Sequence, residues 1–214
     1  MTRSYHAIHK QENPQDKAIR LLLEYMEGVL TITAEEEKVM RENIKVRSFS
    51  RGTLIAEEGA YPDVECYFVL QGCVRKYYLV DGEEKTTAFY TEGQPVNLST
   101  PQQKQKNIPC DFYLECLEDT LVTLGDEEGE AAFFAQFPRF EAICRKQAEE
   151  MLGELEATMA QYMISSPEQR YLSLLETRPD LLARVPQYHL ASYVGVKPES
   201  LSRIRKRILQ RQRS

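Results

Sequence analysis

Three side chains near the C-terminus have the types and spacing to read the edge of a base pair. Glu199, Ser202 and Arg203 stand at i, i+3 and i+4, which puts them on one face of a helix. A guanidinium donates two hydrogen bonds to guanine O6 and N7, a carboxylate accepts from a cytosine amine, and a hydroxyl serves either. Lys197, Ser200, Arg205 and Lys206 surround them and suit phosphate oxygens, contacts that fix position without reading sequence. A carboxylate at Glu199 also has a plain structural use, since it favours a helix N-terminus.

Presenting these groups takes a helix braced against a second one. Leu190 to Val194 forms a short amphipathic stretch that Gly195 ends, and Pro198-Glu199 opens the next helix. Leu201, Ile204 and Ile208 give that helix a buried face. The layout is a helix-turn-helix whose second helix enters a DNA major groove. The positive charge is local. The chain has net charge −6 and a pI of about 5.3, yet residues 184–214 hold eight basic residues and one acid. An acidic body with a basic end meets a polyanion end-on. A membrane-surface helix would need a larger apolar face than Leu201, Ile204, Ile208 and Leu209 supply.

The remaining composition narrows the class. At 214 residues the chain fits one to two domains with a real core. No apolar run approaches membrane-spanning length, and Met1 to His6 leads into polar residues rather than a signal-peptide core. A cytoplasmic protein without a membrane partner is expected. The five cysteines include no C-x-x-C pair, which argues against a disulfide framework and against standard zinc or iron–sulfur sites. Small buried hydrophobes are the simpler reading. The histidines are His6, His9 and His189, none in the strand-rich region, so a cupin-type metal site lacks ligands. P-loop, G-x-S-x-G and H-E-x-x-H patterns are missing. The expectation is no enzyme, no catalytic residues, no metal and no cofactor.

Three segments precede and include the basic end. The first is helical: Ile19, Leu22, Leu23 and Met26 repeat at helix period, and Thr33-Ala34-Glu35-Glu36 is a capping box. From about Val46 to Leu124 short apolar runs alternate with turns, Asp81-Gly82 between two of them being a hairpin signal. Positive φ at the turn glycines and a small antiparallel barrel or roll follow. The third begins near Pro138, where apolar residues recur from Phe140 to Met163 over about 25 residues, roughly 38 Å of helix. Ala148, Met151, Leu155 and Tyr162 lie close to a heptad seam that Thr158 interrupts, so pairing with a second copy is expected. Ser166, Pro167 and Gln169 take N-cap, N1 and N3 of the following helix. Arg178-Pro179 ends it, and a short loop leads to Pro186. His189 is read as a helix-surface or DNA-backbone-contacting residue rather than a ligand.

In that order these motifs resemble the Crp/Fnr superfamily of bacterial transcription regulators. The likeness rests on Glu58-Gly59, Asp63 and Tyr67 to Arg75 in the strand-rich region, on Leu190 to Val196, and on Glu199 to Ile204. It spans roughly residues 30–210. It implies an α+β fold: an N-terminal antiparallel β-roll (a double-stranded β-helix of cyclic-nucleotide-binding type), a long dimerisation helix, and an all-α helix-turn-helix with little or no wing. The corresponding boundaries are 1–137, 138–165 and 166–214. The family's E-x-x-S-R signature falls on Glu199, Ser202 and Arg203, with TGA-like half-sites implied. The implied partners are double-stranded DNA on a palindromic operator, a second copy of the chain, RNA polymerase and a small-molecule effector of unknown identity.

The chain departs from that pattern at the effector site. Asn97-Leu98 and Pro109-Cys110, with Asp111 next, align where cyclic-AMP-binding members carry Gly-Glu and Arg-Ser or Arg-Thr. No Arg lies between Arg75 and Arg139, so a cyclic phosphodiester would be poorly neutralised and cyclic AMP is not the expected ligand. Lys104 and Lys106, in a polar loop from Gln102 to Asn107, are solvated charges or hold another anion. An iron–sulfur member would need N-terminal cysteines, and the first 65 residues have none. Cys110 and Cys116 near the altered pocket raise redox sensing as a minor reading. The main reading is a homodimeric DNA-binding regulator with the roll as sensor. The alternative is a ligand-binding or protein-interaction module without DNA binding.

Overall fold

The computed structural model describes residues 12–99, 101–125 and 127–211, apart from the side chains of Pro101, Lys104 and Glu127. His6, His9, Arg213 and the side chain of Lys104 lie outside the described residues. Helix α1 (Pro14–Glu27) starts on Asn13, whose side chain accepts from the Asp16 N–H. Helix α2 (Ala34–Asn43) starts on the capping box of Thr33 and Glu36. Glu36 is buried and also accepts from Arg139 Nε at 2.7 Å, fastening α2 to the long helix far along the chain.

Eight strands follow among the described residues: β1 (Lys45–Phe49), β2 (Leu54–Ala56), β3 (Cys66–Gln71), β4 (Val74–Val80), β5 (Glu83–Tyr90), β6 (Pro95–Asn97), β7 (Tyr113–Cys116) and β8 (Thr120–Gly125). They form two antiparallel four-stranded sheets in the orders β1-β8-β3-β6 and β2-β7-β4-β5. The sheets face each other as a jelly roll. Tyr67, Val69, Val74, Val96, Leu114 and Val122 fill the space between them, each at the inward phase of its strand, with Leu98 and Phe112 from the strand ends. The outward phase of β3 carries Phe68 and Leu70 under α1, where Tyr25 packs edge-on to Phe68 at 5.3 Å. Gly72 joins β3 to β4 at φ 106°, and a Cβ there would lie 2.6 Å from Thr120 Oγ1 and 2.8 Å from Asp119 O. No other residue fits that corner.

Between β6 and β7 the chain forms a short helix α3 (Pro101–Gln105) where the sequence predicts a polar loop. After β8 comes α4 (Glu127–Gln136), which the sequence reading leaves without an element. Its Phe133 packs on Phe137 and Phe140 at 5.2 and 4.9 Å, so the turn into the next helix is an aromatic cluster. Helix α5 (Pro138–Ile164) runs 27 residues, about 40 Å. Leu152, Leu155, Met159 and Tyr162 on it are 58, 62, 64 and 47 % exposed. With Ala148 they follow a 4-3-4-3 spacing, a second register beside the one through Met151 and Thr158, and Met151 is likewise exposed.

Four helices complete the described residues: α6 (Pro167–Thr177), α7 (Asp180–Arg184), α8 (Gln187–Val194) and α9 (Pro198–Arg211). The Ser166–Gln169 capping box is formed, with Pro167 in the first turn. The short helix α7 occupies the segment read as a loop. No strand occurs between residues 166 and 211, so this unit is all-α, as expected. It packs directly on the roll: Cys73, Phe89 and Leu117 from the sheets share one core with Tyr171, Leu174, Leu181, Leu190 and Val194.

Candidate nucleic-acid interface

The turn between α8 and α9 sets the geometry of the basic face. Gly195 is left-handed at φ 83°. Val196 N–H reaches Ala191 O at 2.9 Å and Gly195 N–H reaches Ser192 O at 3.0 Å. This is the Schellman pair that closes a helix on a glycine. Leu201, Ile204 and Ile208 then bury the inner face of α9. Glu199, Ser202 and Arg203 are exposed together on the outer face, with Lys206 one turn beyond Ser202 on the same side. Ser200 is half-buried and caps the Arg203 guanidinium at 3.2 Å.

The charges around this face fall into two groups. Arg207 and Arg211 are spent on Glu168 at the start of α6, at 2.9 and 2.6 Å, so they hold α9 against α6. Lys197 is paired with Glu83 of the β4–β5 hairpin, and that pairing drives the Glu83 carboxyl down to about 2. Arg205 donates to the neutral Gln187 side chain at 2.5 Å. Among the described residues, Arg203, Arg205 and Lys206 face solvent without a carboxylate partner. Arg203 and Lys206 stand on the same outer face as Glu199 and Ser202.

The same helices are clamped to the roll by polar contacts that the sequence reading does not contain. Arg184 donates to Glu118 at 2.7 Å, to Glu92 at 2.8 Å and to Gly72 O at 2.9 Å. Arg178 donates to Thr91 Oγ1 at 2.9 Å. Ser192 Oγ accepts from the Thr86 N–H at 2.9 Å and donates to Glu84 O at 2.8 Å. Beneath them lies Arg75, only 1 % exposed, bonded to Thr86 Oγ1, Glu115 and Glu84 at 2.9, 3.1 and 2.5 Å.

His189 is a correction to the sequence reading. It is buried rather than on the helix surface, because α8 packs on β5. Its Nε2 sits 3.4 Å from Arg75 Nη1. A guanidinium only donates, so Nε2 accepts and the ring is neutral. Burial and then the Arg75 charge push its pKa down to about 4.

The five residues read as the effector site divide. Leu98 and Cys110 are buried side by side, the thiol 3.9 Å from Leu98 O. Pro109 is half-buried, whereas Asn97 and Asp111 are exposed. Gly59 N–H donates to Cys110 O at 2.8 Å and Cys110 N–H to Ala60 O at 2.9 Å, so the Glu58-Gly59 turn frames this end of the roll. Asp63 accepts from Arg47 at 3.0 Å. The residue the sequence reading misses is Lys76. It points inward from β4 between Val74 and Tyr78, its ammonium 3.7 Å from the Phe112 ring centroid. The signal was present as the inward phase Val74-x-Lys76-x-Tyr78, legible only once the phase of the strand is known. Cys73, Cys110 and Cys116 are buried, and burial pushes all three thiols up, Cys73 to about 12 and Cys116 to about 11.

The described residues thus comprise a roll closed over an apolar core, a long helix with exposed apolar residues, and a helix-turn-helix with a cationic outer face. Residues 46–136 match the cyclic nucleotide-binding domain family. No curated protein sequence matches the chain. Among solved structures, a CooA mutant from Carboxydothermus hydrogenoformans superposes with TM-score 0.62 at 16% identity, covering 88% of this chain and 84% of that one. FixK2 from Bradyrhizobium japonicum gives 0.61 at 21% identity, over 79% and 86%. A protein described as a transcriptional regulator of the Crp/Fnr family from Eubacterium rectale gives 0.57 at 16%, over 84% and 85%. The match to the domain model is confined to the roll and α4, and the chain as a whole has the fold of these solved structures. Among the described residues, no helix is long and apolar enough to cross a membrane.

Proposed function

We propose that the protein is a sequence-specific DNA-binding transcription regulator that acts as a homodimer on a palindromic operator, with the β-roll as its sensor. The observation that carries this reading is the outer face of α9: Glu199, Ser202, Arg203 and Lys206 exposed together, with no carboxylate partner for either cation among the described residues. The long seam of α5 supplies the dimer contact, burying Leu152, Leu155, Met159 and Tyr162 against their copies. Glu199, Ser202 and Arg203 read base edges, and Lys197, Ser200, Arg205 and Lys206 hold phosphates. Lys197 does so by exchanging Glu83 for a phosphate oxygen. The clamp between roll and helix-turn-helix fixes how each α9 is aimed. A signal in the roll that alters the clamp shifts the spacing of the two reading helices. Cyclic AMP is not the signal on this reading, and RNA polymerase is the natural downstream partner.

Selection of bound duplexes from a random pool by the full-length chain tests the proposal. A two-fold symmetric consensus is expected. Arg203→Ala should cost about 1–3 kcal/mol on that consensus and relax one position of it. Recovery of no enriched sequence, with no salt-dependent affinity, would favour a ligand-binding or protein-interaction module instead.

A further inference from the structure

We propose that Arg170 sets which spacing of operator half-sites the protein accepts, by locking the helix-turn-helix at one angle to the long helix α5. The inference deepens the proposed function and rests on the reading of a homodimer on a palindrome. Arg170 is a positioning residue in this proposal: it acts on DNA through the aim of α9.

Arg170 is half-buried on α6, two residues beyond Glu168. Its guanidinium closes two helix ends at once. Nη1 donates to Tyr162 O at 3.1 Å and to Ser165 O at 2.9 Å, where α5 stops and leaves carbonyls without an intrahelical donor. Nε donates to Val194 O at 2.9 Å, on the last residue of α8. Both are the negative ends of helix dipoles, so a cation between them is favoured. A planar guanidinium also has fixed donor directions, which hold the two helix ends at one mutual angle. An ammonium is a point charge and imposes no such angle.

A second set of contacts closes the same joint. The guanidinium carbon lies 4.4 Å from the Tyr162 ring centroid, a cation on an aromatic face. Gly195 fits against the pair: a Cβ there would lie 3.1 Å from Tyr162 Oη and 3.3 Å from Arg170 Nη2. The turn that aims α9 therefore rests on the last turn of α5. Tyr162 is also exposed on the apolar seam of α5, so one ring serves both the seam and the joint.

In a dimer paired along α5, the angle between α5 and α9 fixes how far apart the two reading helices stand. A tilt of about 10° over the roughly 21 Å length of α9 moves its far end by about 3.6 Å, close to one base-pair step of about 3.4 Å. A joint held by three carbonyls and a ring resists such a tilt. Without Arg170 the two helices can follow half-sites that stand a base pair too far apart.

The test uses the full-length chain and the palindromic duplex that the parent selects from a random pool. That duplex is rebuilt with one base pair inserted between the half-sites and, separately, with one wrong base pair inside a half-site. The parent is expected to lose about tenfold in affinity on each. Arg170→Gln, which removes the charge and the fork, should lose about threefold or less on the insertion and still about tenfold on the wrong base pair. Arg170→Lys, which keeps the charge but not the fork, should relax the spacing in the same direction, and it decides the matter if Arg170→Gln does not fold. The proposal is overturned if the variants reject the insertion as the parent does. It is equally overturned if spacing and base discrimination fall together, the mark of a residue that merely keeps the domain folded. A parent indifferent to the insertion would remove the dimer reading itself and this proposal with it, an outcome distinct from a parent and variants that reject the insertion alike.

Discussion

Removing Arg184 should open the joint between the roll and the helix-turn-helix. Its guanidinium leaves the helical unit and meets three acceptors of the roll, Glu118, Glu92 and Gly72 O. Truncating one partner of a hydrogen-bonded charge pair costs about 2–5 kcal/mol, much of it from the charges left behind. Here the side chains of Glu92 and Glu118 are 45 and 32 % exposed, so water reaches them once the cation is gone. The lower end, about 2 kcal/mol, applies to Arg184→Met, which keeps most of the hydrocarbon stem. The loss bears on the docked arrangement only, because in an undocked chain all four groups are hydrated. It therefore shifts docking by about 30-fold. The Thr86 amide reports this directly, since it donates across the joint to Ser192 Oγ. Its hydrogen exchange should accelerate by that factor. The Val69 amide, bonded to Gln94 O within the roll, should not change. If Thr86 exchanges at the parent rate, or if Val69 accelerates equally, the clamp is not an independent device and the reasoning fails.

Three further outcomes are expected. His189 has its pKa held near 4 in the docked fold against about 6.5 when free, so the docked state is fully stable above roughly pH 6.5 and loses stability as pH falls toward 4. The loss is up to about 3 kcal/mol; Thr86 exchange followed against pH should show it, and His189→Gln should flatten the profile. Glutamates at both seam positions, Leu155→Glu with Met159→Glu, should give a folded monomer by sedimentation, because both side chains are exposed within one chain; a dimer of unchanged affinity would remove α5 as the contact. The buried thiols of Cys73, Cys110 and Cys116 hold little thiolate at neutral pH, so DNA affinity should be equal in dithiothreitol and peroxide and in Cys110→Ser; a redox-dependent affinity would revive sensing by these cysteines.

Local signals were legible in the sequence and long-range ones were not. The Thr33 and Ser166 capping boxes, the Gly195 turn and the inner face of α9 each involve residues a few positions apart, and each formed as read. The strand β6 pairs only three residues with β3, too few for an alternating pattern. Helices α3 and α7 are five residues each, shorter than any apolar period. The α5 seam is open in two registers, through Met151 and Thr158 or through Leu152 and Met159, since 3.6- and 3.5-residue repeats diverge slowly. His189 and Arg184 take their roles from partners 66 to 114 residues away. No spacing rule reaches that far, and so the charge of Arg184 looked available for DNA when it is spent on the roll.

The stoichiometry and salt dependence of binding to a selected duplex test the central claim most directly. The account predicts two chains per palindrome, half-sites about one helical turn or 34 Å apart, and an affinity falling steeply with salt. Lys206→Ala should reduce that salt slope by about one. One chain per duplex, or an affinity indifferent to salt, would contradict it.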